Sequence, residues 1–125
     1  MTTAREPATS EVQRTFLIKL VGEFDLSERE RLKDVFAIAN SAQLVVINLQ
    51  QTDYLDSSVL QCFVDLHKAA LETGAHIVFV GVHGAVRRVL ELTAMETLFD
   101  IRPTMREVGL DGNLLRELTV EAGTV

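Results

Sequence analysis

Residues 44–66 read LVVINLQQTDYLDSSVLQCFVDL, and this stretch decides the fold. It opens on Leu44-Val45-Val46-Ile47-Asn48-Leu49, apolar and β-branched almost throughout. Such a run is expected of a strand covered on both faces. A polar connection, Gln50 to Thr52, leads through Asp53-Tyr54-Leu55 to Asp56-Ser57-Ser58. A helix is expected to begin there, with Asp56 as its cap. Leu60, Phe63, Val64, His67 and Leu71 recur along its inner stripe. Gly74 stands where a C-terminal left-handed glycine belongs, so the helix should span ~25 Å. A helix start presents unpaired N–H groups and partial positive charge, and it holds phosphate well.

Outward from this centre, strand and helix patterns alternate. Residues 14–21 put Phe16, Ile18 and Leu20 on one face, which is strand-like, and Gly22 is expected to close the strand. Gly22-Glu23-Phe24-Asp25 then forms a connection. Ser27 with Glu30 has the form of a capping box, and Leu32, Val35, Phe36 and Ala39 follow at helical spacing. Residues 76–80 make a third apolar strand, 81–84 a turn, and Val86, Val89 and Leu90 mark the next helix. A short strand is expected over 98–102, before Pro103, and a terminal helix over 110–118 with Leu114, Leu115 and Leu118 inward. The first ten residues are polar and unpatterned, with weak edge pairing near Glu11 to Gln13. The expected division is a tail or weak edge strand at 1–13, one α/β domain at 14–120 and a tail at 121–125.

Strands joined through helices run parallel with right-handed crossovers. The loops after the first three strands then emerge on one edge of the sheet. Open α/β sheets bind ligands at that edge. Segments 22–25, 53–58 and 81–84 should gather there.

Composition narrows the function. The chain has 125 residues, 47% of them apolar, enough for one core. No apolar run approaches the ~18 residues of a membrane span, and residues 1–7 lack the apolar stretch of a signal peptide; a cytoplasmic location without membrane partners is expected. A net charge of −6 argues against a nucleic-acid surface. Cys62 is the single cysteine, so it makes no internal disulfide, and its default role is a small buried residue. His67, His76 and His83 include no pair at metal-ligand spacing, and only His83 falls in an edge loop. No metal or cofactor is expected. Ser57 lacks the glycines of a nucleophile elbow, and no glycine-rich phosphate loop follows any strand, so nothing asks for an enzyme.

Two readings of Asp56-Ser57-Ser58 stand side by side. In one, Asp56 caps and the serines tolerate the first turn. In the other, a serine accepts phosphate, which the helix start favours locally while Asp53 and Asp56 make the edge more anionic. Asp25 likewise is either a cap or a polar contact on the shared edge.

Several segments together resemble one family. Gly22-Glu23-Phe24-Asp25, Val45-Val46-Ile47-Asn48-Leu49, Tyr54-Leu55-Asp56-Ser57-Ser58, Val78-Phe79-Val80-Gly81 and Ala85-Val86-Arg87-Arg88-Val89-Leu90-Glu91-Leu92-Thr93 match, in order and spacing, the STAS-domain anti-sigma-factor antagonists. The resemblance covers about 16–102. It implies a STAS-like fold, a central mixed sheet of four to five strands with four helices mostly on one side. It also implies a protein that binds an anti-sigma factor acting as a serine kinase. That kinase would phosphorylate Ser57, and a phosphatase would reverse it. Asp25, Asp53, Asp56, Ser57, Ser58, Val59 and His83 are the implied partner-facing positions. The chain departs from the family pattern with Val59 for Gly, His83-Gly84 for Ser-Pro, and Ala94 for Gly. Val59 motivates an alternative, a constitutive adaptor in a signalling or transport assembly that is never phosphorylated.

Overall fold

A computed structural model describes residues 14–39, 41–108 and 115–123. The expected N-terminal tail or edge strand, residues 110–114 of the expected last helix, and residues 124–125 lie outside them. The first strand, β1, runs Thr15–Phe24 and is longer than the alternation alone suggests. Gly22 does not close it, because the chain beyond Gly22 still has a partner. The polar connection after β2 (Leu44–Asn48) leads into a further strand, β3 (Thr52–Leu55), which the sequence does not announce. β3 pairs with β1 from Gly22 to Phe24.

The remaining strands are β4 (His76–Val80), β5 (Asp100–Arg102) and β6 (Leu115–Glu121). β1 pairs with β2 from Thr15 to Lys19 and with β6 from Thr15 to Val21. β2 pairs with β4, and β4 with β5. Every described pair is parallel. The α/β design thus stands: among the described residues the sheet has six strands, all paired in parallel, where the resemblance implied a mixed sheet of four to five, and three α-helices where it implied four. The α-helices are α1 (Arg29–Ala39), α2 (Ser57–Thr73) and α3 (Gly84–Leu92). The expected terminal helix is corrected to β6 over its second half. Leu118 and Val120 alternate there with exposed Glu117 and Thr119, a period of two that suits the open flank of β1.

Both faces of the central strands are apolar, for two reasons. Phe16, Ile18, Leu20, Val45, Ile47, Ile77 and Phe79 form one core with all three helices. Leu44, Val46, Val78 and Val80 face the other way, under Met105 and Val108 of a short 3-10 turn. The helices are therefore on one side. Rings join the helical layer: Phe63 lies 5.8 Å from Phe36 and 5.1 Å from Phe79, and Phe79 lies 4.6 Å from Phe99. α2 begins at Ser57 and ends at left-handed Gly74, as its sequence indicates. Its buried stripe is Val59, Leu60, Cys62, Phe63, Leu66 and Ala70. Leu71 is 70% exposed, so the stripe is turned from the expected one.

α1 starts later than its capping box suggests. Asp25 caps a 3-10 turn at Leu26–Glu28, and the α-helix follows from Arg29. Asp25 Oδ1 accepts from both Ser27 N (2.9 Å) and Ser27 Oγ (2.6 Å). Ser27 therefore lies inside the 3-10 turn as a donor to Asp25 and does not cap the helix. The buried carboxylate of Glu28 pairs with Arg31 at 3.1 Å and accepts from Gly123 N at 2.7 Å. Arg31 also donates to the carbonyl of Glu121. The first turn of this layer is thereby tied to the end of β6.

Two backbone positions give sharp expectations. Gly81 has φ +75°, and a Cβ on it would stand 2.7 Å from Gln50 N. Gly81→Ala should therefore lower stability by at least ~2 kcal/mol in urea unfolding. Ala94 holds φ 60°, the left-handed region where a side chain is strained. Ala94→Gly should raise stability by ~1 kcal/mol, read as a higher unfolding midpoint.

Candidate functional site

The carboxyl ends of β1 and β3 form a two-segment lip. Three bonds clamp the second segment to the first. Gly22 N donates to Gln51 O (3.0 Å), Thr52 Oγ1 to Leu20 O (2.7 Å), and Asp56 N to Phe24 O (2.9 Å). Thr52 is fully buried, so its hydroxyl must find such an acceptor. Gly22 is opposite Thr52 but Glu23 is opposite Tyr54, so Asp53 is an extra residue in the ladder. This bulge breaks the alternation. Asp53 and Tyr54 are both exposed, while Thr52 and Leu55 on either side are buried.

Past the lip α2 begins. Asp56 sits in extended backbone, and its Oδ1 accepts from Ser58 N at 2.7 Å. This is the expected cap. Ser57, the first helical residue, is exposed. Ser58 is half-buried, and its Oγ is closed off from solvent without a hydrogen-bond partner among the described residues. The two neighbouring hydroxyls are therefore not equivalent: one faces outward and the other is shut in. Val59 is 0% exposed and packs in the core. Of the implied partner-facing positions, Val59 alone has its side chain fully in the core.

Asp25 lies next to this helix start, brought there by the Asp56–Phe24 bond. It caps the 3-10 turn, and its carboxylate is exposed on the shared edge. The Ser27 hydroxyl, and then the Ser27 amide, hold its carboxyl below the ordinary carboxylate range, so it is charged at neutral pH. His83 is exposed and precedes α3 without capping it. Its Nε2–H donates to Gln50 O at 2.8 Å, since a carbonyl only accepts. His83 therefore ties the 81–84 loop to the chain entering β3. Among the described residues no bond joins it to Ser57. The three expected segments do meet on one edge, with 22–25 and 53–58 in direct contact and 81–84 joined through Gln50.

Sequence reasoning passed over two side chains here, Leu26 and Tyr54, both large, apolar and exposed. The signal for Tyr54 was present: Asp53-Tyr54 cannot both fit a period of two between buried Thr52 and Leu55. Cys62 is buried, and burial pushes its thiol up, away from the reactive thiolate. Among the described residues, no group of three or more His, Cys, Asp or Glu could hold a metal ion, and no helix is long and apolar enough to cross a membrane.

Known proteins share this fold. The family profile described as STAS domain matches residues 6–108. An anti-sigma-B factor antagonist of Staphylococcus aureus is 24% identical over 95 residues, covering 74% of this chain and 88% of that protein. The solved structure of the anti-sigma factor antagonist SpoIIAA in its unphosphorylated form has a TM-score of 0.61 at 15% identity, covering 86% of this chain and 88% of that one. The STAS domain of a SulP transporter from Vibrio cholerae has a TM-score of 0.59 at 17% identity, covering 85% of this chain and 80% of that one. At these identities the two structures establish a common fold.

The cap can be tested apart from any partner. Asp56→Ala leaves Ser58 N unbonded at the helix start and should cost ~1 kcal/mol in urea unfolding.

Proposed function

The chain belongs to the STAS domain family, and on that premise we propose that it is an anti-sigma-factor antagonist controlled by phosphorylation of Ser57. One observation carries the reading: exposed Ser57 opens α2 directly after its cap Asp56, on the edge that also carries exposed Asp25 and Asp53, while the next hydroxyl is sealed. The unphosphorylated lip docks on an anti-sigma factor that is also a serine kinase, and its sigma factor is released. The kinase then moves the γ-phosphoryl group of ATP to Ser57 Oγ. The added phosphate carries about two negative charges. It sits on the edge that carries these three carboxylates, so the surface that docked becomes strongly anionic. The helix start itself tolerates the phosphate, because its N–H groups and dipole favour anions. The switch thus changes charge without unfolding the domain. A phosphoserine phosphatase resets it. The antagonist does no chemistry of its own in this scheme.

Val59 bears on the competing reading, a constitutive adaptor in a signalling or transport assembly. A β-branched residue at this position would crowd an approaching kinase only if it faced outward. Its side chain points into the core, away from Ser57, which supports the switch. The adaptor keeps one supporting fact, the fold shared with a transporter STAS domain.

The test uses the anti-sigma factor kinases of the source genome, each purified. Wild type and Ser57→Ala should bind one of them, and Ser57→Asp should bind it at least ~10-fold more weakly, a loss of ~1.4 kcal/mol. Equal binding by all three sinks the switch. Intact mass after incubation with that kinase and ATP should show one phosphate on wild type and none on Ser57→Ala. An unmodified wild type favours the adaptor.

A further inference from the structure

The docking lip carries more than charge. Among the described residues, the large apolar side chains left exposed include Leu26, at 61%, and Tyr54, at 42%. Both lie on the lip. Tyr54 is opposite Glu23 in the β1–β3 ladder, and Leu26 follows Asp25 two residues beyond the last paired position, Phe24. The neighbours of each show that exposure here is a local feature. Phe24 and Leu55 are both fully buried, so the same two segments do feed the core. The bulge at Asp53 turns Tyr54 outward, where a regular strand would keep the alternation. Around these two apolar groups stand the exposed carboxylates of Glu23, Asp25 and Asp53, with half-buried Asp56 behind them.

We propose that Leu26 and Tyr54 are the apolar anchors of this interface, and that they enter a protein surface with an apolar socket rimmed by Lys and Arg. The inference rests on the antagonist reading and says what the partner must look like. Charge selects the occupant. A nucleic acid or an anionic lipid surface meets four carboxylates of its own sign. A second copy brings the same ring and a net charge of −6. A basic protein rim is the complement that remains, and aromatic side chains set among polar groups are the usual centres of such contacts. The two components divide the work. Carboxylates at the rim speed encounter, and desolvated anchors slow release.

The experiment measures association and dissociation rates with the anti-sigma factor kinase that binds wild type. Leu26→Ala and Tyr54→Ala should each raise the dissociation rate ~10-fold with little change in association. Tyr54→Phe should stay close to wild type. Leu71→Ala, at a leucine still more exposed than Leu26 on the far part of α2, is the control and should change nothing. Raising salt should slow association of wild type ~10-fold or more while leaving the anchor variants' dissociation defect in place. Thermal melting of both anchor variants should match wild type, since the truncated groups are exposed.

Several outcomes count against the idea, and they fall in different places. If Ser57→Asp loses binding while both anchor variants stay within about threefold of wild type, the anchors are wrong and the switch stands. Association that does not slow with salt removes the basic rim. A homodimer that either anchor variant dissolves assigns the lip to a second copy. If no anti-sigma factor kinase binds wild type, the antagonist reading and this inference fall together.

Discussion

The hydrogen bond from the buried Thr52 hydroxyl to Leu20 O, with the backbone bonds from Gly22 to Gln51 and from Asp56 to Phe24, fixes where α2 starts. A buried hydroxyl without an acceptor is costly, so this contact sets the register of β3 on β1. That register forces one residue out of the ladder at Asp53. It also delivers Asp56 to the end of β1, where its carboxylate caps the helix. The lip, the cap and the outward Ser57 are consequences of one short parallel pairing.

Electrostatics and packing are kept apart in this design. The carboxylates of the lip are on the surface, where they repel one another only weakly through water. Beneath them, Leu55, Val59 and Phe24 are wholly buried, so the surface can change charge over an unchanged core. Asp25 is held ionised by its bonds to Ser27, which removes the simplest way of relieving repulsion, the uptake of a proton. A phosphate at Ser57 would add its charge to the same edge as this ionised carboxylate.

Much of this was legible in the sequence, for identifiable reasons. The α2 boundaries carry strong local signals, Asp56 at one end and Gly74 at the other, and both held. The β2 and β4 runs are apolar on both faces and could hardly be anything but central strands. What escaped was decided by distant partners. β3 looks polar because its exposed pair, Asp53-Tyr54, is bulged out by pairing with β1. β6 looks helical from its leucines until the open flank of β1 is seen to want a strand. Ser27 looks like a cap until Asp25 is seen to cap a 3-10 turn that contains it. Within the site, position told where Ser57 would sit. Only packing could tell that Ser58 is shut in and Val59 turned down.

The bond between Glu28 and Gly123 links residues at opposite ends of the described chain. Glu28 lies three residues after Asp25, in the turn that Asp25 caps, so the last strand braces the ground on which the lip stands. Trimming the chain ahead of Gly123 would strand a buried carboxylate on one fewer donor, and the disturbance would surface beside Asp25. Two stretches that look unrelated on paper are therefore a single mechanical unit, and a change at the tail would be felt beside Asp25 rather than as a loosened end.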